Sequence, residues 1–258
     1  MVQGMVQQQV STDLQPFSVM GLPIHLSDDY LGWLVHSTEQ RQGCHVVTLN
    51  AEMTMQAEQS DRLAAVIQNA ELIIPDGSGI VLYLQLYGKQ IQRRPGIELA
   101  EGLLYAVSDK NLGSVFFYGG QPGVAEQAAQ SWKEKLPNLP IAGTQHGFLK
   151  PEEQPAFEEH LKTLQPALIL VGLGVPRQEF WIADHRHLCP NAIWIGVGGS
   201  FDIWAGTKIR APEFFRNNHL EWLYRLYQEP WRWRRMMALP QFAWRSLLYR
   251  LGLKAGVV

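Results

Sequence analysis

The chain has 258 residues, of which 46% are hydrophobic and 18% are charged, and its formal net charge is −2. A chain of this length can bury a sizeable core as one large α/β domain, or as a domain plus an appendage. Its two cysteines, Cys44 and Cys189, cannot build a disulfide framework or a paired metal site, which predicts a reducing compartment. No apolar stretch approaches the roughly 20 residues of a membrane-spanning helix, so we expect a soluble or peripheral protein.

The charge is unevenly distributed along the chain. Residues 208–258 contain ten Lys or Arg against three Asp or Glu, whereas the first 207 residues contain twelve against twenty-one. Such a separation of sign is typical of proteins that meet a polyanion or an anionic membrane. At the other end, residues 1–16 lack the basic start and apolar centre of a signal peptide, and we expect a disordered tail there.

In chain order, apolar runs alternate with segments of helical spacing. The first run, 17–26, predicts an edge strand because Pro23 is tolerated only at an edge or a bulge. Helical spacing follows over 28–40. The later runs predict strands at 44–49, 72–74, 113–118, 141–144, 167–173 and 192–197, and helices at 51–69, 79–86, 124–135 and 151–164. A further helix, through 187, would follow the loop at 174–179.

Strand, glycine-bearing loop and helix therefore repeat down the chain. This repetition predicts an α/β fold, a Rossmann-like parallel sheet with helices on both faces, over residues 17–207. A basic and aromatic helical appendage, 208–258, would follow it. Because every glycine loop comes after a strand, the loops should collect at one edge of the sheet, where a nucleotide would bind.

The segment at residues 71–80, ELIIPDGSGI, places Asp76 between a strand and a helix. A carboxylate at such a corner can act as a general base, but Asp is equally common as a helix N-cap. The backbone N–H groups of Gly77 and Gly79 could approach an anion such as a diphosphate at the helix N-terminus. Both interpretations of Asp76 stay open at this point.

Other strand ends supply further candidate ligand-binding residues. Adjacent arginines usually form a solvated surface, but next to a carboxylate loop they could bind phosphate bidentately. Glycine loops could supply backbone N–H groups to the charge that develops on a leaving diphosphate. The candidates from these loops are Thr48, Asn50, Arg93, Arg94, Gly119, Gly120, Gly174, Gln178, Gly198, Gly199 and Asp202.

Several enzyme classes lack their motifs in this chain. Residues 172–174 and 196–199 both miss the third glycine of the dinucleotide fingerprint, so a nicotinamide oxidoreductase is weakly supported. A phosphate loop of the Walker type and a hydrolase nucleophile elbow are also missing from the sequence. A non-catalytic nucleotide-binding adaptor at a membrane surface remains the main alternative to an enzyme.

In the appendage, arginines alternate with Trp, Tyr, Phe, Leu and Met, and Pro212, Pro230 and Pro240 divide it into short helices. Mixed basic and aromatic residues suit the interface of an anionic bilayer. The alternatives are a helical cap whose aromatic residues pack on the core, and nucleic acid, which the acidic body disfavours. We therefore expect an anionic membrane surface as the partner, and no nucleic acid.

Longer motifs resemble the WecG/TagA/CpsF family of bacterial glycosyltransferases over about residues 17–245. They are Thr48-Leu49-Asn50-Ala51-Glu52, Pro75-Asp76-Gly77-Ser78-Gly79, Gly174-Val175-Pro176-Arg177-Gln178-Glu179, Gly196-Val197-Gly198-Gly199-Ser200-Phe201-Asp202, Arg210-Ala211-Pro212, Leu220-Glu221-Trp222-Leu223-Tyr224-Arg225-Leu226 and Glu229-Pro230.

The resemblance implies an inverting transferase. It would move an N-acetylmannosamine-type sugar from a UDP donor to an undecaprenyl-diphosphate-linked GlcNAc acceptor at the cytoplasmic membrane face, in cell-surface polysaccharide or teichoic-acid synthesis. It implies no metal and no cofactor, and it suggests self-association into a homo-oligomer with the appendage displaced.

The resemblance also assigns roles to individual residues. Asp76 resembles the general base, while Thr48, Asn50 and Gln178 resemble pocket residues. Arg94 resembles an arginine placed for a phosphate, but this loop is one residue shorter than the family pattern, so Arg93 is a second candidate. Arg225, Arg232 and Arg235 match arginines that the appendage contributes to the pocket.

Overall fold

The computed structural model describes residues 14–91, 95–218 and 220–252. Its centre is a six-stranded parallel sheet in the order β4-β3-β8-β7-β5-β6, beside a two-stranded antiparallel hairpin of β1 and β2. The strands are β1 (Gln15–Val19), β2 (Leu22–Leu26), β3 (Cys44–Leu49), β4 (Leu72–Pro75), β5 (Val115–Gly119), β6 (Ile141–Gln145), β7 (Leu168–Gly172) and β8 (Ile193–Gly196).

Helices connect the strands and continue past the last one. The helices are α1 (Tyr30–Glu39), α2 (Ala51–Ala57), α3 (Asp61–Gln68), α4 (Gly77–Leu86), α5 (Gly96–Lys110), α6 (Val124–Lys135), α7 (Gln154–Leu164), α8 (Arg177–His185), α9 (Ser200–Trp204), α10 (Glu213–Asn217), α11 (Glu221–Gln228), α12 (Trp233–Met236) and α13 (Ala238–Arg250). Short 3-10 turns cover Arg186–Leu188 and Pro230–Arg232.

Successive side chains of the central strands pack on opposite faces of the sheet, as the twofold period of a strand requires. Val46 and Ile195 pack with α1, α5 and α6 on one face. Val47 and Ile73 pack with α2, α3 and α4 on the other face, where Val171 packs with α7 and α8 further along the sheet. This confirms the predicted α/β fold, with a parallel sheet covered on both faces and helices at the C-terminal end.

The predicted edge strand at 17–26 is wrong in one respect, because the chain reverses in its middle. Met20 and Gly21 both have positive φ, 51° and 88°, which is the geometry of a two-residue hairpin turn. Pro23 therefore lies in a separate hairpin, opposite Ser18, and not in the main sheet. Strand β1 already begins at Gln15, two residues inside the predicted disordered tail.

The helices of the structure also differ from the predictions in three places. The expected long helix at 51–69 is divided into α2 and α3, because the Ser60 hydroxyl accepts the Leu63 N–H and starts a new helix. Helix α5 was not predicted, although Pro95 at its N-cap position and Asn111 in a left-handed C-cap mark its ends. The predicted loop at 198–202 contains the start of α9, so Asp202 is helical.

The appendage is joined to the domain through its last helix. Ala238 and Phe242 of α13 belong to the same apolar cluster as Met53 of α2 and Ile80 of α4. Among described residues, Arg245 of α13 also pairs with Glu58, with 3.3 Å between Nε and Oε2. Phe242 of α13 therefore packs on the core as the cap interpretation expects, whereas Trp244 and Tyr249 of the same helix are exposed.

Replacing Phe242 by alanine should reduce the free energy of unfolding by about 3 kcal/mol, because the ring is buried between α2 and α4. Urea unfolding measures the loss. Trp244→Ala, on the same helix but with a side chain 61% exposed, is the matched control and should change the free energy by less than about 0.5 kcal/mol. Equal losses in the two variants would contradict the assignment of α13 to the core.

Candidate active site

A cavity of about 530 Å³ lies at the carboxyl ends of β3, β4, β7 and β8 and is closed on its far side by the appendage. Open α/β sheets bind ligands at this edge. Of the residues proposed from sequence, the cavity is lined by Thr48, Asn50, Asp76, Gly77, Gly79, Gly174, Gln178, Gly198, Gly199, Asp202, Arg225, Arg232 and Arg235. We call this cavity the pocket.

Asp76 follows β4 and occupies the N-cap position of α4, but its side chain makes no capping hydrogen bond. Its backbone N–H donates to the Leu49 carbonyl oxygen at 2.8 Å, which ties the ends of β3 and β4 together. The carboxylate thus lies half-buried in the pocket wall at the N-terminus of a ten-residue helix. The structure does not support the N-cap interpretation of this side chain.

The two glycines after Asp76 have separate structural reasons. Gly77 has a φ of 80°, which side chains other than glycine rarely adopt. A Cβ on Gly79 would lie 2.9 Å from Cβ of Ala51, so glycine allows α4 to approach α2 closely. Gly77 and Gly79 both line the pocket, so the first turn of α4 forms part of its wall.

Thr48 and Asn50 come from the end of β3 and the following turn. Thr48 is buried, and its Cγ2 would lie 2.8 Å from a Cβ built on Gly96. Asn50 is the N-cap of α2, and its side-chain oxygen accepts the Met53 N–H at 2.9 Å. Asn50 therefore has a capping role in addition to its place in the pocket wall.

Gln178 is 2% exposed and connects two glycine loops. Its Oε1 accepts the N–H of Gly174 at 3.2 Å and the N–H of Gly198 at 3.1 Å. These two N–H groups, which the sequence offered as donors to a diphosphate, already have a protein acceptor. We expected the N–H groups of Gly174 and Gly198 to donate to a ligand. In the structure they donate to Gln178 instead.

The loop of Gly119 and Gly120 does not line the pocket. A Cβ on Gly119 would lie 2.5 Å from the carbonyl carbon of Gly172, and the Gly120 N–H donates to the Gly172 carbonyl oxygen. Gly120 in turn accepts the Gly147 N–H. These glycines permit close packing of β5 against β7, and a role for them in ligand binding stays a prediction.

The three arginines expected from the appendage all reach the pocket, and each is paired with a carboxylate. Arg235 binds Glu52 of α2 through Nε at 2.6 Å and through a second nitrogen at 3.2 Å. Arg232 pairs with Glu229 at 2.6 Å, and Arg225 pairs with Glu221 at 2.7 Å. An anionic ligand must therefore compete with carboxylates for these guanidinium groups.

Glu229 and Lys208 are pocket residues that the sequence analysis did not select. Lys208 Nζ lies 3.1 Å from a Glu229 carboxylate oxygen and 3.3 Å from one of Asp202. Burial alone raises the pKa of the Glu229 carboxyl, but hydrogen bonds from Arg232 and Lys208 outweigh it and hold the pKa below its ordinary value. Glu52 was missed as well, although it lies in the Thr48–Glu52 motif.

Basic and acidic side chains are balanced in the described pocket lining. The basic ones are Lys208, Arg210, Arg225, Arg232 and Arg235, and the acidic ones are Glu52, Asp76, Asp202, Glu221 and Glu229. The described lining therefore has no excess of positive charge, and an anionic ligand would have to replace carboxylates as partners of the arginines.

Two further candidates, Arg93 and Arg94, lie outside the described residues. Pro95 and Gly96, which follow them, line the pocket.

Within the described ranges, no three His, Cys, Asp or Glu side chains form a group that could hold a metal ion. None of the helices described is both long and apolar enough to cross a membrane.

The fold and the pocket define a class of protein that sequence comparison identifies directly. A model of the glycosyl transferase WecG/TagA/CpsF family matches residues 17–256, and the chain belongs to this family of transferases. A protein of Bacillus spizizenii (strain ATCC 23059 / NRRL B-14472 / W23) is 39% identical over 219 residues, 84% of this chain and 81% of the relative. A protein of Bacillus subtilis (strain 168) is 34% identical over 209 residues, 81% of this chain and 80% of the relative. Both relatives carry the name N-acetylglucosaminyldiphosphoundecaprenol N-acetyl-beta-D-mannosaminyltransferase.

Gly96→Ala should lower the free energy of unfolding by about 1–3 kcal/mol, because the new methyl group would force Thr48 out of its place in the pocket wall. Urea unfolding of the single and double variants measures the effect. Thr48→Ser removes the clashing Cγ2, so the Gly96→Ala/Thr48→Ser double variant should be at least as stable as Thr48→Ser alone. A double variant that loses the sum of both single effects would show that the contact is not the cause.

Proposed function

We propose that this chain transfers an N-acetylmannosamine-type sugar from a UDP donor to GlcNAc-diphosphoundecaprenol, the acceptor class in the names of the two relatives. The observation that carries the proposal is the Asp76 carboxylate in the wall of a pocket that three arginines of the appendage also line. A candidate base and three guanidinium groups in one pocket suit deprotonation of a sugar hydroxyl and departure of a diphosphate. Family membership disfavours the alternative of a non-catalytic adaptor.

Asp76 is the proposed general base. In an inverting transfer, the acceptor hydroxyl loses its proton to the base as its oxygen attacks the anomeric carbon. The bond between that carbon and the UDP oxygen breaks on the opposite face, and UDP leaves with the electron pair. Asp76 lies at the N-terminus of α4 and lines the pocket.

The departing diphosphate would be stabilised by the arginines of the appendage. Arg225, Arg232 and Arg235 each hold a carboxylate in the pocket, so the diphosphate oxygens would replace those partners. Guanidinium groups suit this exchange, because they bind phosphate and carboxylate with the same bidentate geometry. We further propose that the reaction uses no metal and that Arg93 or Arg94 also contacts a phosphate.

The outer surface of the appendage is the proposed membrane contact. Large apolar side chains there are exposed, and Arg234 and Arg250 are exposed among them. Rings of this kind suit the headgroup region of a bilayer, where arginines meet lipid phosphate. A location at the inner face of the cytoplasmic membrane and self-association remain predictions from the family resemblance. The exposed apolar residues outside the pocket lining are Phe214, Leu223, Tyr227, Trp233, Met237, Trp244, Leu247, Tyr249 and Leu251.

Asp76→Asn should reduce turnover by roughly 10²- to 10⁴-fold, because the amide cannot take the proton. A UDP-release assay with a panel of UDP-sugars and a short-chain polyprenyl-diphosphate-GlcNAc acceptor measures it and identifies the donor. Asp184→Asn, which removes a surface ion pair with Arg62, is the control and should leave turnover unchanged. Turnover of Asp76→Asn close to that of the wild type would reject the base assignment.

The protein should float with vesicles that contain an anionic phospholipid, and binding should fade with salt because the attraction is electrostatic. Trp233→Ser combined with Trp244→Ser should weaken flotation, since both rings are exposed on the appendage. Phe148→Ser, which removes an exposed ring after β6, should have no effect. Equal flotation with neutral and anionic vesicles, or none with either, would contradict the proposed contact.

A further inference from the structure

Three buried polar side chains form a continuous chain beneath the pocket floor. His45 comes from β3 and is 1% exposed, while Glu179 and Gln178 come from the first turn of α8 and are 0% and 2% exposed. His45 Nε2 lies 2.8 Å from Glu179 Oε2, and Gln178 Nε2 donates to Glu179 Oε1 at 2.9 Å. Since burying polar groups costs free energy unless they are paired, such a chain needs a reason.

The far end of this chain holds the pocket wall. Gln178 Oε1 accepts the N–H groups of both Gly174 and Gly198, which follow β7 and β8 respectively. Both glycines have positive φ, 74° and 51°, and both line the pocket. Glycine segments are the most freely rotating parts of a backbone, so one side-chain oxygen holds two otherwise flexible loops in register.

Glu179 decides which way the Gln178 amide points. A carboxylate only accepts hydrogen bonds, so the amide must turn its NH₂ toward Glu179 and its oxygen toward the two glycine N–H groups. The reversed amide would place its NH₂ against two N–H donors and its oxygen against a carboxylate oxygen. His45 in turn occupies the second oxygen of Glu179 and keeps that carboxylate in place.

The backbone of β8 packs closely against the hydrogen bond between Gln178 and Glu179. A Cβ on Gly196 would lie 2.2 Å from Gln178 Nε2 and 2.7 Å from Glu179 Oε1, so the backbone of β8 presses directly on this hydrogen bond. The His45 backbone N–H also donates to Glu71 at 2.8 Å, and Glu71 binds Arg186 at 2.7 Å. The chain is therefore anchored to the protein surface on its far side.

We infer that His45 and Glu179 are positioning residues for the transferase site: through Gln178 they hold the Gly174 and Gly198 loops in the geometry that receives the donor. Neither side chain lines the pocket. Loss of either should loosen both loops, raise the donor KM and lower kcat, because small misplacements of a binding wall cost large factors in rate. The effect on catalysis rests on the proposed function, whereas the effect on the loops does not.

Two substitutions at Glu179 separate hydrogen bonding from packing. Glu179→Leu removes both acceptors, and we expect amide hydrogen exchange at Gly174 and Gly198 to rise roughly tenfold, together with a similar rise in donor KM. Glu179→Gln is the conservative variant. Its amide can accept from Gln178 and donate to the other tautomer of His45, so protection of both glycine amides should be retained.

A swap of the two side chains keeps the experiment decisive if the leucine variant does not fold. Gln178→Glu alone sets two carboxylates against each other, and exchange should increase. Combined with Glu179→Gln, every hydrogen bond is restored with the charge moved by one residue, so the double variant should regain protection to within roughly twofold. Amide exchange by mass spectrometry on the full chain, without substrate, measures the loops directly.

Glu158→Leu is the matched control, because Glu158 pairs with His185 of the same helix α8, at 3.2 Å and outside the pocket. It should leave exchange at Gly174 and Gly198 and the donor KM unchanged. Unchanged exchange in Glu179→Leu, or a double variant no better than Gln178→Glu, would overturn the inference about the loops. Faster exchange with an unchanged donor KM would reject the positioning role while leaving the transferase assignment intact.

Discussion

The parallel pairing of β3 with β4 on one side and with β8 on the other is the constraint on which the site depends. Thr48 lies opposite Ile74, Val46 lies opposite Ile195, and Val171 lies opposite Gly196. These registers bring the carboxyl ends of the four strands to one edge of the sheet, with β3 extending past β8, so the turns that follow them open on the same side. Residues separated by more than a hundred positions thereby become the walls of one cavity.

The second organising feature is the set of ion pairs between basic side chains of the appendage and carboxylates in and around the pocket. Arg235 reaches Glu52 of α2, and Lys208 joins Asp202 to Glu229. These pairs close the pocket while Phe242 anchors the last helix in the core. The two roles that the composition of the appendage suggested are compatible: Phe242 packs on the core, and the exposed rings are free for the membrane contact that we propose.

Sequence patterns predicted a strand or helix correctly where its apolar run was followed directly by turn residues. The strand at 44–49 and the helix at 124–135 have the predicted ends, because β-branched or alanine-rich runs are followed directly by turn residues. The prediction failed where one residue changes the path of the chain. Gly21 reverses a strand and Ser60 restarts a helix, and each is a single position within a run that otherwise looks continuous.

By itself the sequence determined the fold class, the edge of the sheet where the pocket lies, and many of the residues that line it, because strand-and-glycine periodicity and the family motifs are local properties. Only the tertiary structure decided how those residues are used. It showed that Gly119 and Gly120 serve strand packing, that Asn50 caps α2, and that the Gly174 and Gly198 N–H groups belong to Gln178. Hydrogen-bond partners such as His45 and Glu179, 134 positions apart, meet only through the sheet register. A local pattern cannot report such a contact, because its geometry exists only once the strands have paired.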